Sequence, residues 1–406
     1  MSKALIVGAV LSAGLLTGGM LMQSGAWSEA SASTATPRLY EQVVARLRND
    51  YIDSISIEQM HRKAAFGLVK ELDEAYSALL TPDRVNRLRE TTTGRYAGIG
   101  VEIDMRDGYV TVIAPLAGTP ADSAGVLPGD RIISIDGRST QGLTMDEVQQ
   151  AMRGPAGSRV RLTVERGEGE DPSFVLTRRI IEYHPVQRVE LLPGGVGYVE
   201  LASFSQHAAR ELRQAVDSLR RAGATSLILD LRENPGGLLE QGIEVAELFL
   251  DRGQTIASTK GRTADANTTF LDEYRQPWPQ LPIVALVDSG TASAAEIVAG
   301  ALQDNDRGVI IGSPSYGKGS AQSLFPVGDG HALKLTTARW FTPDGSTIER
   351  DSTSGGITPD ITVRDTTTIV GAPARHLPLT ADPVVQRAHQ ILQGVATPAQ
   401  LKSRVQ

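Results

Sequence analysis

Three polar residues in the C-terminal half of the chain have the types and spacing of a hydrolytic site. Ser293 lies among small residues, Lys318 lies between two glycines 25 residues later, and Gln322 follows the lysine by four. A serine hydroxyl is a poor nucleophile until a base removes its proton, and a lysine can be that base when apolar surroundings hold it neutral. Gln322 could orient the lysine by a hydrogen bond. The pattern predicts a nucleophile, a base and an orienting residue with no histidine.

The segment around Ser293 is predicted to form a strand, a tight turn and a helix. An apolar run at 283–288 precedes the turn, and the helix is expected from about Ala292 to Asp304. A nucleophile near a helix N-terminus lies where developing negative charge is favoured. Glu296 is the nearest acid on this helix, and we expect it to serve on the helix surface or in hydrogen bonding rather than in catalysis.

A second strand, turn and helix precede this one in the chain. The apolar run 226–231 is typical of a buried strand and leads into a Gly236-Gly237 turn. A helix is predicted from Leu238 to Leu250. Such a turn presents free backbone N–H groups at a helix N-terminus, and these groups can stabilise an oxyanion.

An earlier glycine-containing run, Gly98-Ile99-Gly100-Val101, has the pattern of a loop that binds a peptide terminus. Backbone N–H groups of such a loop can cradle a carboxylate, and an open strand edge can accept an extended peptide. The turn at 127–130 and the helix predicted over 145–152 complete a resemblance to a PDZ domain. The peptide-binding residues predicted on this basis are Gly98, Ile99, Gly100 and Val101, with an apolar last side chain favoured.

Composition argues against several other classes of protein. The chain has 406 residues, which is long enough for two or three domains. Hydrophobic residues are 41% and charged residues 21%, as is usual for globular proteins. The net charge of −7 argues against nucleic acid as a partner. There is no cysteine, and the six histidines are scattered without the spacing of a metal-ligand pair. We therefore expect no metal and no cofactor.

The N-terminal sequence has the pattern of an export signal. Lys3 is followed by an uncharged run over 4–28, and Ala30-Ser31-Ala32 is a candidate cleavage site. Because roughly 20 apolar residues can also span a bilayer, an uncleaved anchor in the inner membrane stays open beside a cleaved signal peptide, which is favoured. In both cases the remaining chain is expected in the periplasm or another extracytoplasmic compartment.

In their order along the chain, these motifs resemble the carboxyl-terminal processing proteases, also called tail-specific proteases. In that family a Ser-Lys pair commonly shows the spacing found here, and the resemblance runs from about Leu39 to Val363. It implies the catalytic residues Ser293, Lys318 and Gln322, and an oxyanion hole from Gly236 or Gly237 and Ala294. The chain departs from the family's common Pro-His-Ser at 74–77, a difference expected to be local and without effect on catalysis.

The resemblance also implies the fold class. We expect an α/β fold with a crotonase-like, tail-specific protease core, an inserted PDZ domain and helical segments at both ends. The expected divisions are a signal peptide or anchor at 1–32, an N-terminal helical segment at 37–94, a PDZ domain at 95–170, the protease core at 171–364, and a linker with a helix at 365–406. The N-terminal helices would contact a partner subunit or the PDZ domain, or cap the core. The C-terminal helix would make oligomer contacts or lie on the surface.

The expected function is that of an exported serine endopeptidase. Its PDZ domain would capture protein or peptide substrates with exposed C-terminal tails, and the Ser-Lys dyad would cleave them through an acyl-enzyme. An adaptor or activator protein and a homo-oligomer are further partners that the resemblance allows. Two other classes stay open: a catalytically silent, tail-binding scaffold of the cell envelope, and a hydrolase of non-peptide acyl substrates. The intact Ser, Lys and Gln set argues against the first, and the PDZ resemblance argues against the second.

Overall fold

The structure is a computed structural model that describes residues 35–106, 108–167, 171–350, 355–363 and 378–405. The predicted signal or anchor segment and most of the predicted linker after 364 lie outside these residues. Within the described ranges, no helix has both the length and the apolar character needed to cross a membrane. The chain divides into two compact units, the first ending at Glu74 and the second beginning at Ala75.

The described part of the first unit consists of two helices, α1 (Ala35–Asp50) and α2 (Ile57–Lys70). Ser56 caps α2: its hydroxyl accepts a hydrogen bond from the backbone N–H of Gln59, whose side chain accepts one in return from the N–H of Ser56. This capping box satisfies two N–H groups that the helix itself cannot. Both helices lie in the segment predicted to be helical.

The second unit begins with a short connecting segment. Its elements are β1 (Ala78–Leu80), α3 (Pro82–Thr93) and β2 (Arg95–Gly98). The prediction that 37–94 is helical is wrong at β1. Because Pro82 suits the first turn of a helix, α3 begins directly after this strand. Gly94, with a φ of 68°, ends α3 in the left-handed conformation.

A small antiparallel sheet with two helices follows. Its elements are β3 (Val101–Arg106), β4 (Tyr109–Pro115), α4 (Pro120–Ser123), β5 (Arg131–Ile135), β6 (Arg138–Ser139), α5 (Met145–Met152), β7 (Arg159–Glu165) and β8 (Ser173–Thr177). The strand order is β3-β4-β5-β7-β8, with β6 paired to β5. In β7 the buried residues Val160, Leu162 and Val164 alternate with more exposed ones, so one face of the sheet packs on its own core. A further strand, β9 (Arg179–Glu182), pairs with β2.

The remaining chain builds a mostly parallel sheet and its covering helices. Its elements are β10 (Val186–Leu192), β11 (Val196–Leu201), α6 (Ala208–Arg221), β12 (Ser226–Asp230), α7 (Leu239–Glu247), β13 (Thr255–Gly261), β14 (Thr268–Leu271), β15 (Ile283–Val287), α8 (Ala294–Asp304), β16 (Val309–Gly312), β17 (Ser320–Gly328), β18 (His331–Phe341), β19 (Ile361–Thr362), α9 (Pro383–Leu392) and α10 (Pro398–Val405). The sheet order is β10-β11-β12-β15-β16-β19, parallel from β11 onward.

Both faces of this sheet are covered, which explains the continuous apolar runs of β12 and β15. Leu227, Leu229 and residues of α6, α7 and α8 share one core, whereas Ile228 and Val284 share the other with α9. The alternative that the C-terminal helix α9 is a simple surface helix is therefore wrong, whereas its predicted oligomer contacts stay a prediction. The helix is one layer of the core, because its apolar positions cover the second face of the sheet.

A second sheet has the order β1-β18-β13-β14, with β17 paired to β18. The strand β17 begins two residues after Lys318, so the candidate base lies where this hairpin starts. In β1, Ala78 lies opposite Lys334 of β18. This pairing brings the start of the second unit to the strands that follow the candidate base.

Candidate active site

Ser293 lies between β15 and α8, where the backbone is held in a strained conformation. Its φ of 57° is in the left-handed region, which non-glycine residues seldom adopt. The hydroxyl of Thr291 donates to the carbonyl of Leu231 at 2.7 Å, and the N–H of Ala292 donates to the carbonyl of Asn234 at 2.9 Å. These bonds tie the serine turn to the strand-to-helix turn after β12. Strain of this kind persists only when its surroundings hold it, and it clusters at functional sites.

Glu296 connects the two halves of the predicted dyad. It is fully buried in the first turn of α8. Its Oε2 accepts the backbone N–H of Ser293 at 2.7 Å and that of Lys318 at 2.9 Å. Its Oε1 accepts the N–H of Gly317 and the hydroxyl of Ser315, both at 2.6 Å. The expected hydrogen-bonding role is confirmed and the surface alternative is wrong, because one carboxylate joins the backbones of residues 293 and 318.

Lys318 is half-buried, and its side chain lies over an aromatic ring. Its Nζ is 5.1 Å from the centroid of the Tyr76 ring. Lys318 belongs to the loop between β16 and β17, residues 313–319, which we call the lysine loop. Arg350 holds this loop by donating from its guanidinium to the carbonyls of Ser315 at 2.6 Å and Tyr316 at 2.8 Å. Tyr76 belongs to the departure from the family pattern that sequence reasoning expected to be local. The structure instead places this residue against the candidate base.

Gln322 lies on β17, opposite Thr336 of β18. Its Nε2 donates to the hydroxyls of Ser320 at 3.0 Å and Thr336 at 3.3 Å. The N–H of Thr336 in turn donates to the hydroxyl of Ser77 at 3.0 Å, just before β1. The side chain is thereby held by its neighbours on the hairpin, and its predicted role of orienting Lys318 remains a prediction.

The glycine turn after β12 lies directly against the nucleophile. A β-carbon added to Gly236 would lie 2.9 Å from both the nitrogen of Ala294 and Cβ of Ser293. Asn234, fully buried, fixes this approach: its Nδ2 donates to the carbonyl of Leu201 at 2.6 Å, and its Oδ1 accepts the N–H of Gly236 at 2.9 Å. Only glycine fits at this point of contact.

The same hydrogen bonds decide which N–H groups are available to an oxyanion. The N–H of Gly236 is engaged by Asn234. Among the hydrogen bonds of the described residues, none uses the N–H of Gly237 or that of Ala294. Ala294 is the first residue of α8, and such N–H groups have no acceptor within their own helix. Of the two alternatives left by the sequence, Gly237 therefore fits the donor better than Gly236.

The Asp-Leu-Arg sequence before the glycine turn forms a buried ionic network. Nη2 of Arg232 lies 2.6 Å from Asp230 and 2.8 Å from Asp382, and the hydroxyl of Tyr198 donates to Asp230 at 2.7 Å. Burial alone would raise the pKa of Asp230, but the charge of Arg232 and the hydrogen bonds hold this pKa below its usual value. Because Asp382 also caps α9, the network anchors the C-terminal helix at the end of β12.

A groove of about 630 Å³ follows the predicted peptide-binding loop, lined by residues 98–103 together with Met152 and Arg153 of α5 and others. Gly100 has a φ of 75°, and a β-carbon there would lie 2.4 Å from the side chain of Thr119. Thr119 donates its hydroxyl to the carbonyl of Gly100 at 3.0 Å. No hydrogen bond of the described residues uses the N–H of Ile99 or Gly100, so both can receive a carboxylate.

This groove is linked to α3 and β2 at the end of α5. Arg153, at the end of that helix, forms an ion pair with Glu90 of α3 at 3.0 Å and lies over the ring of Tyr96 at 5.2 Å. Burial raises the pKa of the Tyr96 hydroxyl. Among the described residues, no group of three or more histidine or acidic side chains could hold a metal ion.

Comparison with known proteins identifies the family. The profile of Peptidase family S41 matches residues 195–363, and that of a PDZ domain matches 111–166. The chain is 38% identical over 330 residues to a carboxy-terminal-processing protease of Bartonella bacilliformis, covering 80% of this chain and 74% of that protein. It is 40% identical over 329 residues to the carboxyl-terminal-processing protease of a Synechocystis strain, covering 79% and 74%. The chain therefore belongs to the carboxy-terminal-processing proteases, serine-type peptidases with a PDZ domain.

The fold agrees with this family. The solved structure of a Bacteroides fragilis protein assigned to the S41 proteases aligns with a TM-score of 0.55 at 17% identity, covering 91% of this chain and 99% of that chain. The predicted family, the α/β fold class and the prediction of a serine-type peptidase are confirmed. The individual roles of the site residues remain predictions.

Proposed function

We propose that this protein hydrolyses peptide bonds with Ser293 as nucleophile and Lys318 as general base. The observation that carries the proposal is the buried carboxylate of Glu296, which receives the backbone N–H groups of both residues. Because one carboxylate binds the backbones of both residues, it fixes the position of the base relative to the nucleophile. Fixed positioning of reacting groups is a major part of enzymatic rate enhancement.

The reaction would proceed through an acyl-enzyme. Neutral Lys318 removes the proton from the hydroxyl of Ser293 as Oγ attacks the substrate carbonyl, and the oxyanion receives the N–H groups of Gly237 and Ala294. The protonated lysine then gives its proton to the leaving amine as the peptide bond breaks. In the second half, Lys318 activates a water that releases the acid product and restores Ser293. Gln322 would orient the lysine by a hydrogen bond, with its own side chain held on the β17–β18 hairpin by Ser320 and Thr336.

We also infer that the PDZ groove captures exposed C-terminal tails of protein or peptide substrates. The N–H groups of Ile99 and Gly100 suit a terminal carboxylate, and the edge of β3 at Val101 suits an extended chain. Gly98 and Gly100 keep the loop open for this approach. The sequence over 1–32, outside the described residues, is the basis for proposing export to an extracytoplasmic compartment.

The test is cleavage of an unstructured protein with an apolar C-terminus by the full chain. We expect Ser293→Ala and Lys318→Ala each to lower kcat/KM by at least about 10³-fold, since catalytic residues act as a unit. Ser289→Ala is the matched control, because Ser289 is exposed in the same turn and should be dispensable. Activity that survives Ser293→Ala would refute the nucleophile. Tail binding without cleavage by wild type would instead favour the silent scaffold.

A further inference from the structure

A cavity of about 380 Å³ lies between α3, β18 and the PDZ helix α5. Its lining is unusually basic for a chain with a net charge of −7. The charged lining residues are Arg84, Arg87, Arg153 and Lys334, with Asp146 as the single acid. The cavity is therefore electropositive and belongs to neither the catalytic dyad nor the carboxylate loop.

Three of these cations have no anionic partner in the described part of the chain. Arg153 is paired with Glu90, but within the described residues no ion pair or hydrogen bond engages the side chains of Arg84, Arg87 or Lys334. Lys334 and Arg87 are also half-buried, so they are less well hydrated than surface cations. Clustered cations repel one another and raise the local concentration of anions. An anionic ligand would relieve this repulsion.

The position of the cavity points to the source of that anion. Gln149 and Arg153 line both this cavity and the PDZ groove, so the two spaces adjoin. On the other side, Lys334 lies two residues before Thr336 on the same face of β18, about 7 Å along the strand. Thr336 accepts a hydrogen bond from Gln322 of the candidate site. The basic cavity therefore adjoins the groove on one side and, along β18, lies near Gln322 on the other.

We propose that this cavity is a subsite for acidic side chains of the substrate. It would bind aspartate or glutamate residues in the stretch between the C-terminal tail held in the PDZ groove and the bond presented to Ser293. The proposal rests on the proposed function, since a substrate anchored by its tail must cross from the groove to the nucleophile. It narrows the substrate class to proteins with acidic residues just upstream of an apolar tail.

The test measures binding first, so that it does not depend on turnover. Two fluorescent peptides would share one apolar tail and differ only upstream, where one carries three glutamates and the other three glutamines. With the full-length Ser293→Ala protein, we expect the glutamate peptide to bind about tenfold more tightly, a size that a few partly exposed ion pairs can supply. The preference should shrink as salt is raised. Equal affinity, or no measurable binding of the glutamate peptide, would overturn the proposal.

Two matched triple variants locate the effect. Arg84→Gln, Arg87→Gln and Lys334→Gln together should remove the preference by weakening only the glutamate peptide. Arg213→Gln, Arg252→Gln and Arg262→Gln change the net charge equally at exposed sites outside the cavity and should preserve it. A preference that survives the first variant, or is lost in the second, would assign the effect to overall charge and refute the subsite.

Turnover by the wild-type protein then separates the two proposals. Ser293-dependent cleavage of both peptides at equal kcat/KM would leave the protease intact and overturn the acidic subsite. A tenfold binding preference without cleavage would support the subsite and count against the proposed catalysis.

Discussion

Two helices of this protein, α5 and α8, begin with the same capping pattern, but the capping glutamate has a different role in each. In α5, Oε2 of Glu147 accepts the backbone N–H and the hydroxyl of Thr144, both at 2.8 Å, and the carboxylate is exposed. In α8, Glu296 also occupies the third helical position and accepts the N–H of its capping residue, Ser293. There the carboxylate is buried and receives three further donors from the lysine loop.

The difference shows how a local motif acquires a role from its surroundings. An exposed cap stabilises its own helix by about 1 kcal/mol. The hydrogen bonds of Glu147 lower its pKa, and they connect nothing beyond Thr144. A buried carboxylate with four donors costs more to disturb, because hydrogen bonds to charged groups are worth about 1.5–3 kcal/mol each. Glu296 therefore holds two segments together, whereas Glu147 caps only the start of its own helix.

Neutralising each glutamate in turn tests whether the buried carboxylate matters to catalysis and the exposed one does not. We expect Glu296→Gln to lower kcat/KM by about 10²- to 10³-fold, since the amide turns a donor toward groups that are themselves donors and displaces the base from the nucleophile. The loss should fall mainly on kcat. Steady-state kinetics on the unstructured substrate measures it.

Glu147→Gln is the control, because it removes the same charge from the same helical position. It should leave kcat/KM within about twofold and change the stability little, because the carboxylate is exposed. Binding of a tail peptide by Glu296→Gln would show that the variant is folded. If both variants kept wild-type kcat, the shared carboxylate would be irrelevant to catalysis.

Two glycines with the same backbone conformation test whether the close approach to Ser293 matters. Gly236 and Gly129 both have a φ of 89°, but a β-carbon on Gly236 would lie 2.7 Å from the carbonyl oxygen of Ala292, whereas Gly129 has open space. Gly236→Ala should lower kcat/KM by about 10- to 100-fold, because the nucleophile turn must shift. Gly129→Ala carries the same conformational strain, about 1–2 kcal/mol, and should keep its activity. Equal activity in both variants would show that the close approach to Ser293 is unimportant.

These contrasts also show how far the sequence could predict the site. The strand-to-helix turns at Gly236 and Ser293 were recognisable, because an apolar run followed by small residues is a local signal. The helix expected from Ala292 begins at Ala294, and the one expected over 238–250 covers Leu239–Glu247. Boundaries of this kind shift by one or two residues with the capping geometry.

The partners of Lys318 could not be predicted in this way. Tyr76 reaches the lysine because β1 pairs with β18, and no local pattern announces a pairing between strands so distant in sequence. The burial of Glu296 likewise depends on the lysine loop closing over α8. Sequence periodicity identifies which residues are apolar, but the contacts of a polar side chain follow from the tertiary fold.

A third glutamate, Glu247, lies in the opposite environment, and replacing it should have the smallest effect on the protein. Glu247, at the end of α7, is surrounded by carboxylates rather than donors. Burial and then the charges of Asp272, Glu244 and Glu273 raise its pKa to about 7. Because this pKa lies above the unfolded value of 4.5, the folded state binds more protons between these values, and stability falls as pH rises from 4.5 to 7.

Replacing Glu247 by glutamine should therefore stabilise the protein only where the carboxylate would be charged. The gain should be about 1 kcal/mol at pH 8, reduced by the partial exposure of the group, and close to zero at pH 4.5. Thermal unfolding at both pH values measures it, with a rise in Tm of about 2 °C expected at pH 8. Glu240→Gln, in the first turn of the same helix, should give no such gain, since an acid there is favoured by the helix dipole. A gain that is equal at both pH values would mean that packing, not repulsion between carboxylates, sets the stability at this position.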